Sequence, residues 1–137
     1  MADNKKAEIK TLESGGLLPS GQYSSLTLAY IGDCVYELYV RTHLIKGANH
    51  NVNKLHKTAT KYVCCRAQAE FYYKIEKFLT EEERAVFKRG RNTKSHVPKN
   101  SEMKDYRIAT GIEALIGHLY ISGEHQRIKE LMQHLFE

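Results

Sequence analysis

Tryptophan is absent from this 137-residue chain, proline occurs twice and cysteine three times. With only Pro19 and Pro98 as breakers, long helical stretches are permitted. No alternating apolar–polar pattern persists beyond a few residues, which argues against strands. Cys34, Cys64 and Cys65 are odd in number and lack a C-x-x-C spacing. That argues against a disulfide framework and a zinc site, and predicts reduced packing thiols in a cytoplasmic protein. Long hydrophobic runs are also missing. Those that start are broken by Asp33, Arg41, Glu113 or His118, so no segment qualifies as a membrane span. Nor does any N-terminal stretch follow the basic, apolar, small-residue order of a signal peptide. The seven histidines form no H-E-x-x-H and no phosphohydrolase-type His-Asp pair.

Acidic residues are missing from Leu38 to Ala69, where Arg41, Lys46, Lys54, Lys57, Lys61 and Arg66 stand alone. From Lys88 to Arg107, seven Lys and Arg face only Glu102 and Asp105. The rest of the chain is slightly acidic, and the formal net charge is +5. Two basic blocks of this kind suit a polyanion such as a nucleic-acid backbone, or else are solvated helix faces.

What is present predicts one all-α domain over 23–137, preceded by a polar lead-in over 1–22. Ser24 or Ser25 caps a helix to about Ile45, with Gly47 as its stop. A second helix is expected from Asn51 or Asn53 through Leu79. "TEEE" at 80–83 is a capping box opening a short helix to about Gly90. "GRNTKSHVPKN" is a basic loop. A fourth helix is expected from Asn100 or Ser101 to Ser122, closed by Gly123, and a last one over 124–136.

Two of these helices carry a lone acid. In "LAYIGDCVYELYVR" (28–41), Asp33 is the only charged residue between Ser14 and Tyr36. At about 100° per residue, Leu26, Ala29, Tyr30, Tyr36 and Val40 share its face. Leu28, Ile31, Val35, Leu38 and Tyr39 fill the other. A helix apolar all round is a central one, so Asp33 is expected to be at least partly buried. Burying an unpaired ion costs several kcal/mol, so the charge needs a partner. Gly32 makes sense if another backbone approaches there. "YRIATGIEALIGHLYISG" (106–123) repeats the arrangement around Glu113. Packed together, the two acids can share a Mg²⁺ ion; alternatively, each pairs with a core cation or a helix N-terminus. Glu37, one turn from Asp33, either adds a ligand or pairs with Arg41. His118 lies about 140° from Glu113 around its helix and is expected in the core or at the surface.

"AYIGDCVYELYVR" resembles the signature helix of the ribonuclease III family, in the variant of its Mini-ribonuclease III branch. "NKLHKTATKYVCCRAQA", "LTEEERAVFKRGRNTKS" and "PKNSEMKDYRIATGIEALIGHLY" resemble the same branch in the same order. The resemblance covers about residues 22–122. It implies a helical-bundle endonuclease domain without a separate double-stranded-RNA-binding domain. It implies that Asp33 and Glu113 are the catalytic, metal-binding acids. Two further acids of ribonuclease III proper are replaced here by Ala29 and Thr110, as in the Mini-ribonuclease III branch.

The resemblance further implies a Mg²⁺-dependent endoribonuclease, with Mn²⁺ as a substitute. A metal-activated water hydrolyses double-stranded RNA to 5′-phosphate and 3′-hydroxyl ends. It also implies a homodimer joined through the signature helices, and maturation of the 23S ribosomal RNA precursor with a ribosomal protein as helper. A-form RNA is read mostly through shape and backbone. The candidate RNA contacts are therefore Lys54, His56, Lys57 and Lys61 of the second helix, and Arg91, Asn92, Lys94 and Ser95 of the loop. The alternatives are a non-catalytic homologue that binds structured RNA, motivated by Ala29 and Thr110, and a structural helical adaptor.

Overall fold

A computed structural model describes residues 15–94, 96 and 102–137. Among the described residues, six α-helices make the fold: α1 Ser25–Ile45, α2 Val52–Val63, α3 Cys65–Ile75, α4 Glu81–Arg91, α5 Met103–Ile121 and α6 His125–Met132. Short 3₁₀ turns at Ser20–Gln22, Glu76–Phe78 and Gln133–Phe136 complete it, and there is no strand among the described residues. The expected all-α bundle is what the chain forms.

α1 starts where Ser24 Oγ accepts the Thr27 N–H at 3.1 Å, and the chain turns at Gly47 with φ 81°. The axis of the molecule is α5. From Ile108 to Leu119 every residue but Glu113 is buried, and α1, α3, α4 and α6 all pack against it. α1 buries Leu28, Ala29, Gly32, Val35, Tyr36 and Val40 against this axis, but its far side stays open. Tyr30 is 82% and Leu38 60% exposed.

The expected single helix over 51–79 is instead two. At Cys64 the backbone turns extended, with φ −67° and ψ 156°. α2 buries only Ala59, whereas α3 buries Gln68, Ala69, Phe71 and Ile75. The break lets each segment follow its own apolar stripe. It frees carbonyls at the end of α2, and side chains satisfy two of them. Tyr36 Oη donates to the Tyr62 carbonyl at 2.6 Å, and Gln68 Nε2 donates to the Val63 carbonyl at 3.0 Å.

α4 opens on the capping box. Glu83 N–H donates to Thr80 Oγ1 at 3.1 Å, and Thr80 N–H donates to Glu83 Oε1 at 2.9 Å. The start expected for α5 at Asn100 or Ser101 lies outside the described residues; its cap is Glu102. α5 ends before Gly123, whose φ is 73°. The expected last helix is α6 followed by a 3₁₀ turn. The three cysteines form no disulfide, but Cys34 and Cys64 are exposed and do not pack the core as expected.

Candidate active site

The site forms where α1 crosses α5. A Cβ on Gly32 would overlap the Glu113 carbonyl, and one on Gly117 would overlap the Leu28 carbonyl. Two glycines on facing helices thus let the backbones touch. The residue after Gly32 is Asp33, and the residue whose carbonyl meets Gly32 is Glu113. The crossing itself therefore brings the two acids together.

Their carboxyl groups are within hydrogen-bonding reach of each other. Burial, a hydrogen bond with Asp33 and the Asp33 charge push the Glu113 carboxyl up to about 8; a hydrogen bond from Gln68 opposes them. A raised carboxyl pKa of this kind is what burial beside a second acid produces where no positive charge stands nearby. Asp33 itself is exposed, contrary to expectation. The reason is that α1 is covered on one side only, and Asp33 sits at the rim of that side. Of the two sequence-level alternatives, neutralisation by core cations is not what the structure holds. Among the described residues, no Lys, Arg or His forms an ion pair with either acid. Glu37 pairs with Arg41 at 3.0 Å, one of its two expected places.

The donor set fits a small hard cation. It offers two carboxylates and an open side for water, which is how Mg²⁺ is usually held. No group of three or more His, Cys, Asp or Glu suited to a metal occurs among the described residues, so a softer, all-protein cage is not built here. His118 is buried, as one of its two expected places allowed. Its Nδ1 lies 2.6 Å from Ser20 Oγ, and burial holds its pKa down.

The candidate RNA contacts fall in two places. Lys54, His56, Lys57 and Lys61 are exposed along α2, and Lys54 and Lys57 line a shallow cavity with Asn51, Asn53 and Thr58. Arg91 lies over the Phe87 ring and donates through Nε to Asn92 Oδ1 at 3.2 Å. Arg91 and Asn92 border a cavity of about 670 Å³ with Tyr72, Tyr73, Lys104 and Arg107. Lys94 is exposed, and Ser95 lies outside the described residues. Sequence reasoning missed Gln68. The available signal was an amide at the centre of the apolar face of α3, between Cys65 and Phe71.

The ribonuclease III domain family matches residues 26–124, which takes in both acids and the glycine crossing. The chain is 51% identical over 114 residues to Mini-ribonuclease 3 of Clostridium tetani, covering 82% of this chain and 76% of the relative. It belongs to the ribonuclease III family, in its Mini-ribonuclease 3 branch. Mini-ribonuclease 3 of a Thermoanaerobacter species is 50% identical over 80% of this chain and 78% of its own. Among solved structures, a crystal structure of a Fusobacterium nucleatum protein superposes with a TM-score of 0.75. It is 32% identical, with 82% of this chain and 90% of that one covered.

Proposed function

We propose that this endoribonuclease hydrolyses double-stranded RNA with Mg²⁺ held by Asp33 and Glu113, Mn²⁺ serving as a substitute. The observation that supports this is the pair itself: two neighbouring carboxyl groups, one half-buried, with no basic partner among the described residues. The ion, when bound, neutralises charge developing on the phosphate and makes water a better nucleophile. Asp33 and Glu113 fix its position, and the Gly32–Gly117 contact fixes theirs. In the hydrolysis, the water oxygen bonds to phosphorus and the bond to O3′ breaks. The proton of the water departs, giving a 5′-phosphate and a 3′-hydroxyl.

The exposed residues Leu26, Tyr30, Cys34 and Leu38 are spaced four apart along the outer face of α1. Such a stripe suits self-association, and a two-fold dimer through it presents one site to each strand of a duplex. Lys54, His56, Lys57 and Lys61, with Arg91, Asn92, Lys94 and Ser95, would bind the RNA backbone, giving affinity that falls with salt. The precursor of 23S ribosomal RNA is the proposed substrate, with a ribosomal protein as helper. The cytoplasm is the proposed compartment, consistent with three cysteines that form no disulfide. No described helix is long and apolar enough to cross a membrane.

The experiment is incubation of the purified chain with a 23S precursor transcript and Mg²⁺, followed by mapping of the ends. Paired, staggered cuts across one duplex, each leaving a 5′-phosphate, are expected. Binding without product would instead support the non-catalytic, RNA-gripping reading suggested by Ala29 and Thr110.

A further inference from the structure

Gln68 is 3% exposed, and it is one of only a few buried polar side chains among the described residues. Its amide nitrogen donates to the Val63 carbonyl at 3.0 Å. The same amide stands beside the Glu113 carboxyl group, where its second hydrogen can act as a donor that lowers the carboxyl's pKa. A backbone carbonyl can only accept, so the amide cannot be turned the other way. The amide oxygen Oε1 is left buried with no hydrogen-bond partner. Buried acceptors without a donor are rare and call for an explanation. Neither acid can supply the donor while ligating a cation, because an ionised carboxylate only accepts.

We infer that Gln68 is a third member of the site: its Nε2 holds Glu113 in place, and its Oε1 takes a hydrogen bond from water in the hydration shell of the cation. This rests on the reading of Asp33 and Glu113 as a cation site. Mg²⁺ keeps several of its waters, and each of these has hydrogens to place. The break at Cys64 gives the arrangement its stiffness. The Val63 carbonyl is free only because α2 ends there, and the hydrogen bond to it aims the amide across α3 at α5. Gln68 acts through Glu113 and water, so it is a positioning residue.

The test uses Mn²⁺ alone as the probe, by calorimetry and by the rise in Tm that Mn²⁺ produces, without RNA. The native chain is expected to bind Mn²⁺, and Asp33→Asn to bind it much more weakly. Gln68→Leu is expected to weaken Mn²⁺ binding by roughly 10- to 100-fold, as loss of outer-sphere partners does elsewhere. Gln68→Glu keeps an acceptor oxygen but loses the N–H donor. It is expected to lower the metal-free Tm while matching or exceeding native Mn²⁺ affinity. A side chain with a merely structural role does not produce that split. Native Mn²⁺ affinity in folded Gln68→Leu overturns the inference. If Gln68→Leu does not fold, native Mn²⁺ affinity in folded Gln68→Met, which keeps the length of the side chain but neither its donor nor its acceptor, overturns it. If Asp33→Asn binds Mn²⁺ as well as the native chain, the cation site itself falls, and this inference with it.

Discussion

At the scale of single residues, the fold treats two carboxyl groups in opposite ways. Glu83 is buried, yet fully engaged. Arg127 donates to Glu83 Oε1 and Oε2 at 2.8 Å each and to the Phe78 carbonyl at 2.7 Å. Burial alone would raise the Glu83 pKa; the Arg127 hydrogen bonds and the Thr80 N–H outweigh it and hold it below 4.5. A carboxyl held low in the native state stabilises above its ordinary pKa, and that contribution is lost as pH falls through the native value. Arg127→Met should therefore lower stability at neutral pH by about 3 kcal/mol, since it strands a buried charge. In Tm measured against pH, the gap between variant and native chain should narrow in acid. The capping box was legible because its two residues are three apart. Arg127 was not, because its partner is 44 residues away and only the folded chain brings them together. Glu113 is the opposite case, half-buried beside a second acid with no cation. Both acids stood out in sequence as lone charges on apolar helices. That Asp33 is exposed did not, since helical periodicity says which residues share a face and not which face is covered.

Among the helices, the α1–α5 crossing decides the geometry of the site. The need for close backbone approach at Gly32 could be argued from its cost in a helix interior, but its partner, the Glu113 carbonyl, emerged only in three dimensions. Gly32→Ala should force the helices apart, costing about 1–3 kcal/mol as overpacking does, or more because the clash is with backbone. Thermal denaturation should show the lowered Tm. Any folded fraction should also bind Mn²⁺ less well, because Asp33 moves with the helix. The α2–α3 break escaped the sequence for a different reason. No proline or glycine marks it; Cys64 turns because two adjoining segments have apolar stripes that one straight helix cannot satisfy.

For the whole molecule, the all-α class followed from scarce proline and sustained helical periodicity, and among the described residues the α2–α3 break is where the helices depart most from expectation. The outer face of α1 carries the proposal of a two-fold dimer. Tyr30→Asp places a charge on a residue that is 82% exposed in the single chain. It should leave the monomer fold intact, while sedimentation velocity shows a shift from dimer to monomer and duplex cleavage falls. An unchanged sedimentation coefficient, that of a monomer in both, would count against the dimer. The central claim is that Asp33 and Glu113 together hold the ion that cleaves RNA. Its most direct measurement is the rate of duplex cleavage against Mg²⁺ concentration for the native chain and Asp33→Asn, both shown to be folded by circular dichroism. The account predicts Mg²⁺-dependent cutting by the native chain and a rate lower by orders of magnitude in Asp33→Asn at every Mg²⁺ concentration. Near-native cutting by Asp33→Asn, or cutting by the native chain without any divalent ion, would contradict it.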